Sequence, residues 1–344
     1  MAPCEVAGGP ILAGGLFLQN PLCLAPLAGV TSLPIREFFT RLGASLTHTE
    51  MVSCAGLVRR NRKTLSMLHT SPFEAPVILQ LFAPAADVMV RGAETALNLV
   101  RQNGDPPFAG LGINMACPMP KVTKRGAGAA LLKNPSEAFA MVRGLKGLGL
   151  PVWVKIRRIE AGEAGIEATV RFIEGLLNSG ADNVCIHGRT AAQRYEGVAD
   201  RTVHAAAARR FPGFISASGD VREARDVREY LEMGCVLVMA ARGALGNPWL
   251  FAEALDALGY AVPEMARDRT PAGRMTALRW LGERAMGTSG EAQAVILLKR
   301  LMGGVLRGTS GAAELRRQAG CSSSIEEILA VFRKGTEGSD PAGE

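Results

Sequence analysis

Aromatic side chains are scarce in this chain: Phe, Trp and Tyr make up 5% of its 344 residues, against a hydrophobic fraction of 48%. Aliphatic side chains must therefore pack the core. No apolar run approaches the roughly 20 residues needed to span a bilayer, and no charged-then-apolar leader precedes a cleavage site. A cytoplasmic protein with no membrane association is expected. The seven cysteines are odd in number, scattered, and never in a C-x-x-C pair, which argues against a disulfide framework and against a structural zinc; no metal is expected. No G-x-G-x-x-G follows the first apolar run, which counts against the main rival fold, a doubly wound open sheet. Charge is only mildly one-sided, with 39 Lys and Arg to 32 Asp and Glu, compatible with an anionic partner without requiring one. Nothing points to an obligate protein partner.

From Leu22 to about Tyr260 one theme repeats: a short apolar run, a turn, then a stretch of helical periodicity. Eight apolar runs can be counted, at Leu22–Pro26, Leu46–Glu50, Val77–Leu81, Ala109–Asn114, Val152–Ile156, Asn183–His187, Phe214–Ala217 and Cys235–Ala240. Eight strand–helix units predict an α/β protein, a (β/α)8 TIM barrel. After Tyr260 the strand runs stop. A polar stretch, Val262–Pro271, reads as a linker, and helices are expected over Pro271–Ala285, Glu291–Leu306, Ala312–Ala319 and Ser324–Arg333. The division expected is a barrel domain over 1–260, an all-helical domain over 261–335 and a disordered tail over 336–344. The helical part is basic, with Arg274, Arg279, Arg284, Lys299, Arg300, Arg307, Arg316 and Arg317, which suits a solvated surface or an RNA-facing one equally.

Gln80, Asn114, Cys117, Lys155 and His187 fall at or just past the ends of predicted strands, where barrel geometry converges side chains on one pocket. A lysine closing the apolar strand Val-Trp-Val-Lys155 needs a partner for its charge, either an anionic cofactor ring or a carbonyl substrate. The turns Ala217-Ser218-Gly219-Asp220 and Ala241-Arg242-Gly243 follow strands seven and eight, the usual phosphate site of barrel enzymes, and favour a phosphorylated cofactor. Cys117 sits in a loop bent by Pro118 and Pro120, beside Lys121, Lys124 and Arg125, whereas Cys23, Cys185 and Cys235 read as buried hydrophobes.

Six ordered motifs carry a family resemblance: Pro26-Leu-Ala-Gly-Val-Thr-Ser-Leu-Pro34, Thr49-Glu-Met-Val-Ser53, Asn114-Met-Ala-Cys-Pro118 with Lys121-Val122, Val154-Lys-Ile-Arg157, His187-Gly-Arg-Thr190 and Gly246-Asn-Pro-Trp-Leu-Phe251. Together they resemble the tRNA-dihydrouridine synthases, most closely the bacterial B-type branch. The resemblance implies an FMN enzyme that takes electrons from NADPH and reduces the C5–C6 double bond of a uridine in tRNA, the partner. Hydride would pass from flavin N5 to C6, and Cys117 would give the proton to C5. It also implies that Pro26, Leu27 and Ala28 line the flavin, that Gln80 and Lys155 bond its ring edge, and that His187 lies beside it. Ser218, Gly219, Asp220, Ala241 and Arg242 would bind its phosphate. Asn114 would lie near the flavin and target base, and Lys121, Arg125, Arg189 and Tyr195 would face the RNA. Three positions depart from the family pattern: Ala116 and Ala241 stand where Gly is usual, and Ser218 where Asn is usual. Tolerance is expected, because Gly219 and Arg242 remain. Two other readings fit the sequence: an FMN barrel oxidoreductase acting on a small pyrimidine, and a non-catalytic RNA-binding barrel.

Overall fold

The computed structural model of the chain describes residues 8–337. Its strands are β1 (Ile11–Ala13), β2 (Leu16–Leu18), β3 (Leu22–Leu24), β4 (Thr47–His48), β5 (Val52–Ser53), β6 (Val77–Phe82), β7 (Gly110–Met115), β8 (Val152–Arg157), β9 (Asn183–His187), β10 (Ile215–Ser218) and β11 (Leu237–Ala240). Eight of them lie in the order β3-β11-β10-β9-β8-β7-β6-β4, every pair parallel, and β5 pairs with the end of β6. A single Cys23–Leu46 bridge joins β3 to β4, and the Leu24 N–H donates to the Leu46 carbonyl at 2.9 Å, so the ring is a TIM barrel closed at a thin seam. The strands are buried on both faces because helices cover them outside and side chains fill them inside, which is why most read as continuous apolar runs.

The floor of the barrel comes from a segment that the sequence reading left unassigned. β1 and β2 form an antiparallel hairpin whose Ala13 and Leu18 are buried with Cys23, Leu46, Trp153, Cys185 and Met239. Its turn is built on Gly14, at φ +52°, whose carbonyl accepts from the Trp153 indole N–H at 3.2 Å. A Cβ on Gly14 would stand 2.5 Å from the Trp153 ring, so only glycine fits.

Other elements differ from expectation for local reasons. Of the run Leu46–Glu50 only Thr47–His48 is strand, β4, and a second short strand, β5, follows beyond it; between them the Thr49 hydroxyl accepts the Gln80 N–H at 2.9 Å and takes over a ladder position. The helix of the unit that begins with β9, whose bounds were not set from the sequence, is Thr202–Arg210. The polar stretch read as a linker contains a short helix, Glu264–Arg267, and the Arg267 side chain donates to the Val262 carbonyl at 3.0 Å.

Helices Pro271–Ser289, Glu291–Val305, Ala312–Cys321 and Ile325–Glu337 pack together on the barrel. The last runs into the segment expected to be tail; residues 338–344 lie outside the described residues, as does Cys4. Helix Pro271–Ser289 docks on the barrel helix Leu33–Arg41. There Arg284 donates to both carboxylate oxygens of buried Glu37, and the Arg41 guanidinium lies 4.7 Å over the Trp280 ring. Burial would raise the Glu37 pKa, but the Arg284 hydrogen bonds and charge hold it below the ordinary value. No helix among the described residues is long and apolar enough to cross a membrane.

Candidate active site

Parallel register brings the strand ends to one mouth. Asn114 is paired with Lys155, Arg157 with His187, and His187 with Ser218. A cavity of about 460 Å³ opens there, within the usual range for small-molecule and cofactor sites. Fourteen of the residues singled out from the sequence line it: Pro26, Leu27, Ala28, Gln80, Asn114, Cys117, Lys155, His187, Tyr195, Ser218, Gly219, Asp220, Ala241 and Arg242.

Lys155 is sunk into the barrel between Cys185 and Cys23, and no hydrogen bond or ion pair holds its ammonium among the described residues. Burial lowers its pKa, and the charge of Arg157 pushes in the same direction. An unpaired cation so largely withdrawn from water calls for an anionic or electron-rich partner. His187 is held neutral: burial above all, then the charges of Lys155, Arg157 and Arg189, lower its pKa to about 2. It therefore offers one donor and one acceptor and no charge.

The Cys117 loop is fixed from three sides. The Asn114 side chain, itself donating to Gln80 Oε1 at 2.9 Å, accepts from the backbone N–H groups of Ala116 (3.2 Å) and Cys117 (2.9 Å). Arg157 Nε donates to the Ala116 carbonyl at 2.7 Å. The Ala129 N–H donates to the Cys117 carbonyl at 2.9 Å, beside Gly128, where a Cβ would stand 2.7 Å from that carbonyl. The thiol is partly exposed and faces the cavity.

At the other end, Gly219 (φ +115°) passes so close to His187 that a Cβ would lie 2.8 Å from its ring, and a Cβ on Gly243 would lie 1.8 Å from the Val221 carbonyl. These glycine turns carry Arg222 and Arg242. Their guanidinium groups are each 3.6 Å from Asp220, and Arg242 lies 4.6 Å over the Tyr195 ring. The Asp220 carboxylate itself is turned onto Arg189 at 2.7 Å and the Ala199 N–H at 2.9 Å. Burial would raise its pKa, but those contacts hold it below the ordinary value, so it stays an anion. The cavity thus joins a partly exposed thiol, an unpaired half-buried cation, a neutral histidine and a basic, glycine-lined end. That donor set fits a phosphorylated heteroaromatic cofactor.

A model of the family described as dihydrouridine synthase (Dus) matches residues 23–332. This chain belongs to the dihydrouridine synthase family. It is 32% identical over 338 residues to a probable tRNA-dihydrouridine synthase of Treponema pallidum (strain Nichols), covering 94% of this chain and 95% of that one. With a probable tRNA-dihydrouridine synthase of Mycobacterium tuberculosis (strain CDC 1551 / Oshkosh) it shares 35% identity over 260 residues, 70% of this chain and 63% of the other. Among solved structures, a morphinone reductase in complex with tetrahydroNAD superposes with a TM-score of 0.52 at 13% identity, covering 74% of this chain and 91% of that one, a likeness of fold.

For a dihydrouridine synthase, one of the sequence assignments needs revision. Arg189 does not face outward. It is buried, and its guanidinium is engaged by Asp220 and by the carbonyls of Glu196 and Gly197, so it braces the 188–201 loop and has no free edge for RNA. Lys121, on the short helix Pro120–Thr123, and Arg125, on the turn that follows, are exposed outside the cavity lining, where an outward-facing role keeps them. Arg157, not assigned a role from the sequence, is the connecting residue: besides Ala116 it donates to the carbonyls of Thr190 (3.0 Å) and Arg194 (2.8 Å), tying the Cys117 loop to the Tyr195 loop. The signal was its spacing, because Lys155 and Arg157 are two apart on one strand and so share its inward face. Ala116, Ser218 and Ala241, the departures from the family pattern, all have φ below zero, outside the left-handed region that would favour glycine.

Proposed function

We propose that this dihydrouridine synthase reduces the C5–C6 double bond of a uridine in tRNA, with FMN as its cofactor and NADPH as the electron source. The observation that carries the reading is one cavity in which the partly exposed Cys117 thiol stands with the unpaired Lys155 ammonium. When bound, the flavin supplies the hydride equivalent that saturates C6. Lys155 and Gln80 bond the polar edge of the ring, Pro26, Leu27 and Ala28 pack along it, and neutral His187 donates a hydrogen bond without adding charge. The turns at Ser218–Gly219 and Ala241–Arg242 take its phosphate. Asp220 serves that end indirectly, fixing the turn through Arg189 instead of touching an anion.

The residues divide the remaining chemistry. Asn114 and Arg157 hold the Cys117 loop so that Sγ delivers its proton to C5 as charge develops there, and water afterwards restores the thiol. A base inside a folded tRNA cannot lie in the cavity while stacked, so the target uridine is taken flipped out. The half-exposed Tyr195 ring, stacked on Arg242, together with Lys121 and Arg125 and the basic face of the helical module, supplies stacking and phosphate contacts for the RNA. In Cys117→Ala, flavin content and NADPH oxidation should persist while dihydrouridine formation falls at least 100-fold, within the range for removal of a general acid. Unchanged product yield, read by mass spectrometry of digested tRNA, would refute the role of Cys117.

A further inference from the structure

The helical module reaches into the cavity. Helix Glu291–Val305 approaches the short segment Arg242–Gly246 so closely that a Cβ on Gly304 would lie 2.2 Å from the Leu245 carbonyl oxygen. One turn earlier the Arg300 guanidinium lies against Gly29, where an added Cβ would be 3.3 Å from both terminal nitrogens. Arg300, Gly304 and Arg307 are spaced by four and three residues, so they share the face turned to the barrel mouth. Arg307, just past the helix end, lines the cavity with Arg242, Gly243, Gly246 and Asn247.

Charge at that end is unbalanced. Three guanidinium groups, those of Arg222, Arg242 and Arg307, line it with one carboxylate, Asp220, which is already committed to Arg189. Arg307 has no ion pair among the described residues. A phosphate monoester, dianionic near neutral pH and rich in acceptors, matches that surplus.

We propose that Arg307 binds the phosphate of the flavin, so that the helical module completes the cofactor site as well as serving RNA. The proposal rests on the flavin reading above. Its consequence is linkage: the cofactor binds more tightly when the module is docked, and a docked module is favoured when the cofactor is present.

Riboflavin, which lacks the phosphate, separates this role from a general effect on the pocket. Fluorescence quenching would give the affinities of FMN and riboflavin for the full-length apoprotein and for Arg307→Ala and Arg307→Lys. The expected result is an FMN affinity about 10-fold weaker in Arg307→Ala, the scale of one charge-assisted hydrogen bond, partly restored in Arg307→Lys, with riboflavin unaffected. Equal losses for both flavins would overturn the proposal, as would unchanged FMN affinity accompanied by weaker tRNA binding. Wild-type protein that binds neither flavin would defeat the flavin reading itself, a result distinguishable from unchanged FMN binding in the variant.

Discussion

At the scale of single residues, the site is governed by cations with unequal duties. Lys155 is half-buried without a partner among the described residues, Arg157 and Arg189 are buried struts, and Arg242 and Arg222 are half-free at the basic end. Arg157 is the most exposed to test, because three carbonyls depend on one guanidinium. Arg157→Met should leave the fold intact yet loosen the Cys117 loop. Turnover to dihydrouridine should fall by roughly 10- to 100-fold, the scale of a small misplacement of a reacting group, and the Cys117 thiol should alkylate several-fold faster with iodoacetamide. Arg157→Lys should recover little, since an ammonium cannot reproduce the planar fork. Unchanged turnover and thiol reactivity would mean that the loop holds its shape without Arg157. Such struts are hard to read in a sequence: Arg189 occupies a loop motif and looks solvent-facing until its hydrogen bonds are counted.

Among the elements, the strands β6 to β9 were legible, because a strand buried on both faces reads as a mostly apolar run, broken only by the one or two polar side chains each carries, such as Gln80, Asn114, Lys155 and His187. The division of β4 from β5 was not, since it turns on one threonine hydroxyl, nor was the β1–β2 hairpin, whose three-residue strands are too short to show a period. The Gly14-Gly15 pair was the available signal for that turn. The hairpin makes a sharp prediction. Gly14→Ala adds a methyl against the Trp153 ring at a positive φ and should cost roughly 2–4 kcal/mol. Gly149 has φ +80° with nothing within 4 Å, so Gly149→Ala should cost only about 1 kcal/mol. Equal losses in urea melts would show that the indole does not confine the turn.

For the whole molecule, acid stability follows from three histidines that burial keeps neutral. Their pKa values are lowered from 6.5 to about 3 at His48, about 2 at His187 and about 4 at His204. The unfolded chain takes up protons below pH 6.5 and the folded chain does not, so stability must fall as the pH drops from 7 to 5, by up to about 2 kcal/mol per histidine. The lowered carboxyls of Glu37, Asp200 and Asp220 contribute stability that is lost only nearer pH 4, and Glu74, raised by burial, acts in the opposite sense. Urea midpoints at pH 7 and 5 test this, with His48→Gln expected to flatten the slope by about a third, one of the three groups. Equal midpoints would show that the histidines gain protons without unfolding. The helical module bears on stability in another way. The ring is joined at β3 and β4 by one bridge, and the helix spanning that joint, Leu33–Arg41, is the one gripped by Arg284 and Trp280. In mechanical terms the module is a strap over the weakest stave of the barrel, so cutting it away would leave an opened cask and not a smaller enzyme.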